Sequence, residues 1–374
     1  MLTLDGCRAR QRRLLSAMQS NRWDLFLTAN YRTVYYLTGS LSPPETPAIF
    51  LLSHNGASVL VTSEKGEAAA GDVIPLETYS IARSITHPAH DAARLLQDYL
   101  KGKANWRVKS GATERGSVSE LLHDAVTGAL PDASWADATD TILSLRKRKE
   151  TDEIEEIRTS LRYCSVAFRA ARETIAPGRT ELDVYNAMFA AIAHEAGTIV
   201  PFPGDFACGK RGIRGGGWPT LREIQPGDLY ILDIFPAPAL YFGDTCRTFS
   251  AGRPTDIQFR AWEIVLQALR LAESMVKPGV RARDVYQGVK DFLDSHEITE
   301  KSFRHHAGHG IGHHGHEAPR IIPGADDVFD VNDVITLEPG VYTEALQGGI
   351  RLEDNYVVRE DGLENLFDFP MELG

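Results

Sequence analysis

Five residues with metal-ligand chemistry stand in the chain, each inside its own short motif. They are Asp233 in ILDIF (231–235), Asp244 in GDTCRTF (243–249), His309 in GHGIG (308–312), Glu338 in LEPGVY (337–342) and Glu353 in GIRLEDNYVV (349–358). Four carboxylates gathered around one imidazole cannot all stay ionised a few Å apart without a cation among them. Such a set can hold two divalent ions through shared carboxylates, which is the apparatus of metal-assisted hydrolysis. Each motif alone carries little. Two aspartates eleven residues apart are common, and HHAGHGIGHHGHE (305–317) by itself could be a solvated histidine-rich loop. The order and company of all five carry the reading.

Strands are the natural carriers. In DLYILDIF (228–235), Leu229, Ile231 and Asp233 fall on one face, and Pro236 and Pro238 then break the strand. A second run begins at Leu240, so an antiparallel pair is expected to bring Asp233 and Asp244 together. VITLE (334–338) ends at Pro339-Gly340, and GIRLEDNYVV returns about ten residues later as a second expected hairpin bearing Glu338 and Glu353. His309 arrives on a glycine-rich segment whose missing side chains allow close backbone approach.

The 374 residues, 43 % hydrophobic and 24 % charged, suffice for two domains with sizeable cores. A net charge of −11 argues against a nucleic-acid surface. Cys7, Cys164, Cys208 and Cys246 form no CxxC pair, which favours a reducing, cytoplasmic setting, and Cys246 reads as a buried inert thiol. No signal peptide or membrane-spanning run is evident. A helix over 8–20, strands at 24–29, 46–53 and 57–63, and helices near 89–102 and 117–128 suggest an α/β domain over 1–142. A long helix follows, with Ile154, Ile157, Leu161, Phe168 and Ile175 near helical spacing. Thr180 with Asp183 and Thr255 with Gln258 read as capping boxes opening two more helices, and 282–296 as another. Residues 143–374 thus read as an α+β domain whose antiparallel sheet bears the metals.

The five segments resemble the metallopeptidase family with the pita-bread fold, which includes methionine aminopeptidase, aminopeptidase P and prolidase. Within it the chain looks most like the Xaa-Pro aminopeptidase and prolidase branch. LRKRKETDEIEEIRTS (145–160) is similar to the stretch that opens the catalytic domain there, and RQRRLLSAMQSNRWDLFLTANYRTVYYLTG (10–39) resembles the start of the creatinase-type N-terminal domain. The resemblance implies that Asp233, Asp244, His309, Glu338 and Glu353 hold two metal ions. Asp244 and Glu353 would bridge them, and Glu338 would also handle the proton of the attacking water. His305 and His316, at −4 and +7 from His309, are expected to contact substrate or to donate to a developing oxyanion, whereas His306, His313 and His314 have no such support. Arg351, two residues before Glu353, is expected to hold a ligand carboxylate from behind. An oxygen-rich set with one imidazole suits Mn²⁺, with Co²⁺ or Zn²⁺ as substitutes. The implied activity is hydrolysis of X-Pro dipeptides or of the N-terminal bond of X-Pro peptides, by a homodimer with no nucleic-acid or membrane partner.

One segment departs from the pattern. The family's peptidases usually carry a further substrate-binding His about a dozen residues before the GD of the first metal strand. Here KRGIRGGGWPTLREIQPGD (210–228) has none, and Gly216 falls at or near the place. The glycines suggest an open, flexible segment, with Trp218 or Arg214 filling part of the space, and a His restored at 216 is expected to raise X-Pro cleavage. A creatinase-like amidinohydrolase or a metal-dependent lyase on the same scaffold, and a non-catalytic binding module, are the alternatives. Creatinases do not keep the metal set and binding modules tend to lose ligands, so the presence of all five counts against both of these.

Overall fold

Apolar residues run almost unbroken along the central N-terminal strands because the sheet is covered on both faces. A computed structural model describes residues 1–79, 81–82, 87–103 and 107–373. The chain divides into two units, Met1–Arg146 and Lys147–Gly374. The division falls within the last turn of the helix Thr139–Lys147.

The first unit runs α1 (Leu4–Asn21), β1 (Leu25–Thr28), α2 (Tyr31–Thr38), β2 (Ile49–Ser53), β3 (Ser58–Thr62), β4 (Asp72–Pro75), α3 (Pro88–Gly102), β5 (Ser110–Thr113), α4 (Glu120–Ala129), β6 (Ser134–Asp137) and α5 (Thr139–Lys147). Its six-stranded sheet has the order β4-β3-β2-β1-β5-β6. Phe26, Phe50, Leu52 and Leu60 pack with Leu14 and Met18 of α1. Leu25, Leu27, Leu51 and Val61 pack on the other face with Leu96 of α3 and Val126 of α4. Successive side chains of a strand point to opposite faces, so each layer takes every second residue.

The second unit runs α6 (Thr151–Thr174), α7 (Glu181–Ala196), β7 (Gly204–Cys208), β8 (Leu229–Ile234), β9 (Thr245–Ser250), α8 (Asp256–Met275), α9 (Ala282–Asp294), β10 (His309–Gly310), β11 (Glu317–Arg320), β12 (Val334–Leu337), β13 (Gly340–Thr343), β14 (Gly348–Arg351), β15 (Asp354–Arg359) and β16 (Gly362–Asn365). The capping boxes open α7 and α8 as read, with Thr180 and Thr255 each accepting from the backbone three residues on. Trp262, Val265 and Leu269 of α8 and Val285 and Val289 of α9 pack against Ile335, Leu337, Ile350 and Tyr356, which seats the strands that carry the second carboxylate pair. Among the described residues no helix is long and apolar enough to cross a membrane.

β8 and β9 pair antiparallel, with Asp233 opposite Cys246 and Ile234 opposite Thr245. The strand β7 adds to the other edge of β8 and sets Asp205 opposite Asp233. The second hairpin is not the single ladder that the sequence suggests. β12 pairs with β15, while β13 pairs with β14 in a separate two-stranded sheet. The break falls at Glu338-Pro339 and Leu352-Glu353, where proline has no N–H to give the ladder. The N–H of Glu338 instead donates to Ala307 O (3.0 Å), and that of Glu353 to Cys246 O (3.1 Å). These two bonds tie the second carboxylate pair to the histidine segment and to β9.

Gly308 lets the histidine strand lie against β12. Its φ is +145°, and a Cβ there would stand 2.1 Å from Thr336 O. Gly308→Ala is expected to lower the unfolding free energy by about 2–5 kcal/mol, from strain and overpacking together. Urea titration followed by circular dichroism checks this; an unchanged midpoint would show that the strand can shift freely.

Candidate metal centre

The strand ends described above open onto one cavity of about 690 Å³, lined by Asp233, Asp244, His309, Glu338 and Glu353 among others. None of these five is more than 7 % exposed, so water does not screen their charges. His309 Nδ1 lies 3.0 Å from Gly310 O, a contact that requires the ring proton on that nitrogen. Nε2 faces the carboxylates, 3.3 Å from Glu338 Oε1 and 3.7 Å from Asp244 Oδ2. Ligand atoms of Asp244, His309 and Glu353 lie within 4.8 Å of one another, as do those of His305, His306 and Glu338.

Burial and the neighbouring carboxylates push Asp244 and Glu353 well above the usual carboxylate range. Burial also lifts Asp233, to about 6, with the Arg351 guanidinium pulling it back. Glu338 goes the other way: burial opposes its charge, but the contacts with His306 and His309 hold it well below the usual range. Without a cation the cluster favours charge on Glu338 and disfavours it on Asp244 and Glu353. A divalent cation reverses that preference. Its fit is testable on two atoms: Asp233 Oδ1 and Glu353 Oε2 are buried and accept no hydrogen bond. Buried acceptors without donors are rare in folded proteins, and a cation satisfies both. The donor set, four carboxylates and one imidazole, suits a hard or borderline divalent ion.

Arg351 reaches Asp233 Oδ2 at 2.5 Å and Asp205 Oδ2 at 2.8 Å through Nη2, and its Nη1 donates to the Tyr342 hydroxyl at 3.1 Å. The Tyr342 hydroxyl lies 2.9 Å from His305 Nε2, and His305 Nδ1 lies 2.7 Å from His306 O. A carbonyl only accepts, so Nδ1 carries the proton and Nε2 accepts from tyrosine. Both nitrogens of His305 are thereby engaged inside the protein. Burial pushes its pKa down to about 4.

His306 is the residue that motif reading passed over. Its Nδ1 lies 3.0 Å from Glu338 Oε1, off the line that a hydrogen bond prefers, and so acts there as a charge contact. Burial opposes its protonation, but Glu338 outweighs this and raises its pKa. Nothing in the local spacing marks His306 from its neighbours. His313 turns away, with Nδ1 3.2 Å from Leu240 O and its ring on Tyr241. His314 gives its backbone N–H to Glu317 Oε1. His316 stays in the cavity wall, its ring centroid 4.0 Å from that of His309, and burial lowers its pKa to about 4. The loop bearing His316 is pinned by a buried ion pair, Lys149 Nζ to Glu317 Oε2 at 3.0 Å. Lys149 belongs to the basic RKRKE run, which reads in the sequence only as a linker.

The glycine segment is not an open gap. A Cβ at Gly216 would stand 2.0 Å from Asp205 Cγ, so the aspartate of β7 already fills the wall there. Trp218 is 66 % exposed and does not enter the space, whereas Arg214 lines it. A His at 216 would have to displace Asp205. The expectation that it would simply restore a substrate contact is therefore withdrawn.

Comparison with known proteins now bears on the same residues. Residues 155–360 match metallopeptidase family M24, and residues 10–148 match the creatinase/prolidase N-terminal domain. The chain belongs to metallopeptidase family M24. It is 33 % identical over 316 residues to the probable dipeptidase PepE of Mycobacterium tuberculosis, covering 82 % of this chain and 83 % of that protein. It is 26 % identical over 373 residues to the Xaa-Pro dipeptidase of Pyrococcus horikoshii, covering 99 % and 100 %. The solved X-Pro aminopeptidase of Thermotoga maritima superposes with a TM-score of 0.82 at 26 % identity, covering 95 % of this chain and 99 % of that one. This M24 chain is thus a metallopeptidase with the pita-bread fold, and its family works with divalent metal ions.

In this M24 chain, Lys149→Met takes the ammonium group away from the buried Glu317 carboxylate. Removing one partner of a buried pair costs about 3–5 kcal/mol. Equilibrium unfolding should show a loss of that order, and a variant as stable as the parent would mean that Glu317 is held by other groups.

Proposed function

We propose that the chain holds two divalent ions, manganese by preference with cobalt or zinc as substitutes, and hydrolyses the peptide bond preceding proline. Its substrates would be X-Pro dipeptides or peptides with X-Pro at the N-terminus. The observation that carries the proposal is the pair of orphaned oxygens, Asp233 Oδ1 and Glu353 Oε2, inside a buried set of four carboxylates and one imidazole. The substrate class is supported by relatives named Xaa-Pro dipeptidase and X-Pro aminopeptidase that match nearly the whole chain.

In this reading Asp233, Asp244, His309, Glu338 and Glu353 would hold the ions. Bound there, the ions would supply Lewis acidity and a water nucleophile near neutral pH. Glu338, which His306 and His309 keep ionised, takes the proton of the attacking water. His316, neutral near pH 7 and facing the cavity, donates an N–H to the oxyanion that develops on the scissile carbonyl. His305 has no free donor and serves instead as a brace, linked through Tyr342 to Arg351. Arg351 fixes the position of Asp233 from behind. We place the working enzyme in the cytoplasm as a homodimer, on the family resemblance and on four buried cysteines outside any disulfide.

Elemental analysis after mild Mn²⁺ loading and dialysis should find about two ions per chain, since four acids need that charge to coexist. Asp244→Asn and Glu353→Gln should each lose bound metal and turnover while keeping the parent's circular dichroism. Near-normal activity in either would remove that residue from the centre. His316→Ala should lower kcat by about 10²-fold or more with metal content unchanged, the usual cost of one oxyanion donor. A panel of X-Pro peptides, non-prolyl peptides and small carboxylic acids tests the substrate, and turnover of the acids alone would overturn the peptidase reading.

A further inference from the structure

One carboxylate of the cavity lining lies outside the five-residue set. Asp205 sits on β7 directly opposite Asp233, and its side chain is 36 % exposed against 10 % for Asp233. It is also held in place. Oδ2 accepts from Arg351 Nη2 at 2.8 Å, and Oδ1 accepts from the Gly217 N–H at 2.9 Å. Each oxygen keeps a lone pair beyond these bonds, and an ionised carboxylate can only accept. If Asp233, Asp244, Glu338 and Glu353 are engaged by metal, Asp205 is the acid of the described lining left to face a substrate. The opposite charge has its own place, because Arg214 and Arg304 line the same cavity from exposed positions.

The main chain makes room for this carboxylate. Gly216 packs so closely on it that a Cβ would lie 2.0–2.3 Å from all three carboxyl atoms. Glycine at 216 and aspartate at 205 therefore form one feature of the wall.

We propose that Asp205 is a specificity-determining residue, whose carboxylate receives a protonated amine of the substrate at the wall that Gly216 leaves free. The proposal rests on the reading of the five-residue cluster as the metal centre. It makes an unblocked ammonium group part of what the cavity recognises, and it places that group beside Asp205. Acylating the amine removes both the charge and donors that the carboxylate can accept.

The test is calorimetric binding of L-alaninamide and N-acetyl-L-alaninamide to the metal-loaded full-length protein. A hydrogen bond to a charged group is worth about tenfold or more in affinity. The parent should bind the ammonium compound tighter by that factor. Asp205→Asn keeps the shape and removes the charge, and it should bring the ratio to within about threefold. Gly216→Ala, which drives the carboxylate from its place, should narrow the ratio in the same way. Metal content and thermal midpoint are measured alongside, because a merely structural role would change these and leave the ratio of the two ligands alone. A parent with no preference, or an Asp205→Asn protein that keeps the parent's ratio, overturns the proposal. Failure to bind metal or to cleave any X-Pro peptide sinks the proposed function instead, and the binding ratio still decides the role of Asp205.

Discussion

Mutual repulsion among four buried carboxylates is the constraint on which the catalytic unit is built. Asp233, Asp244, Glu338 and Glu353 share a cavity with His309 and the buried guanidinium of Arg351, and these six are nearly excluded from water. Burying a charge costs far more than burying an apolar group unless the charge is paired. Arg351 meets one of the four directly, and His306 and His309 meet another. Asp244 meets His309 at 3.7 Å, and among the described residues Glu353 has no ion pair. That deficit favours a cation among the acids, and it explains why hydrophobic packing around the strands must be extensive. The core of α8 and α9 beneath β12, β14 and β15 holds the acids in positions they would not choose.

The backbone does much of the positioning. The proline after Glu338 ends one ladder, and the freed N–H groups of Glu338 and Glu353 find acceptors on other segments. Three sheets therefore meet at the carboxylates instead of passing them by. The histidine tract is ordered by similar means. Gly308 lets His309 lie against β12, and the Lys149–Glu317 pair anchors the loop that presents His316. Neighbouring histidines thus take different work: one in the metal set, one beside Glu338, one in the cavity wall, one as a brace and one packed on a tyrosine.

The cavity wall at Gly216 separates what belongs to the reaction from what belongs to the substrate. The five-residue set is the one we propose for the chemistry that M24 membership implies. The wall carries Asp205, an acceptor, where an imidazole could have donated. A change from donor to acceptor at one point of a pocket can redirect which substrates are recognised while leaving the hydrolytic apparatus intact, because a buried polar group left without its partner is costly.

The sequence by itself determined the five acidic and imidazole residues that meet in one cavity and their order, the two-unit organisation, the capped helices and the apolar strands. These are local properties, set by side-chain periodicity and by hydrogen bonds spanning three or four residues, so each can be read in its own segment. It did not show that the second hairpin splits, that His306 rather than His305 meets Glu338 most closely, or that Asp205 closes the wall at Gly216. Each of these depends on which backbone groups from distant segments find one another: Glu353 with Cys246, Glu338 with Ala307, Gly217 with Asp205. Such pairings leave no periodic trace. They are decided when the sheets pack and every buried N–H and carboxylate must be satisfied at once.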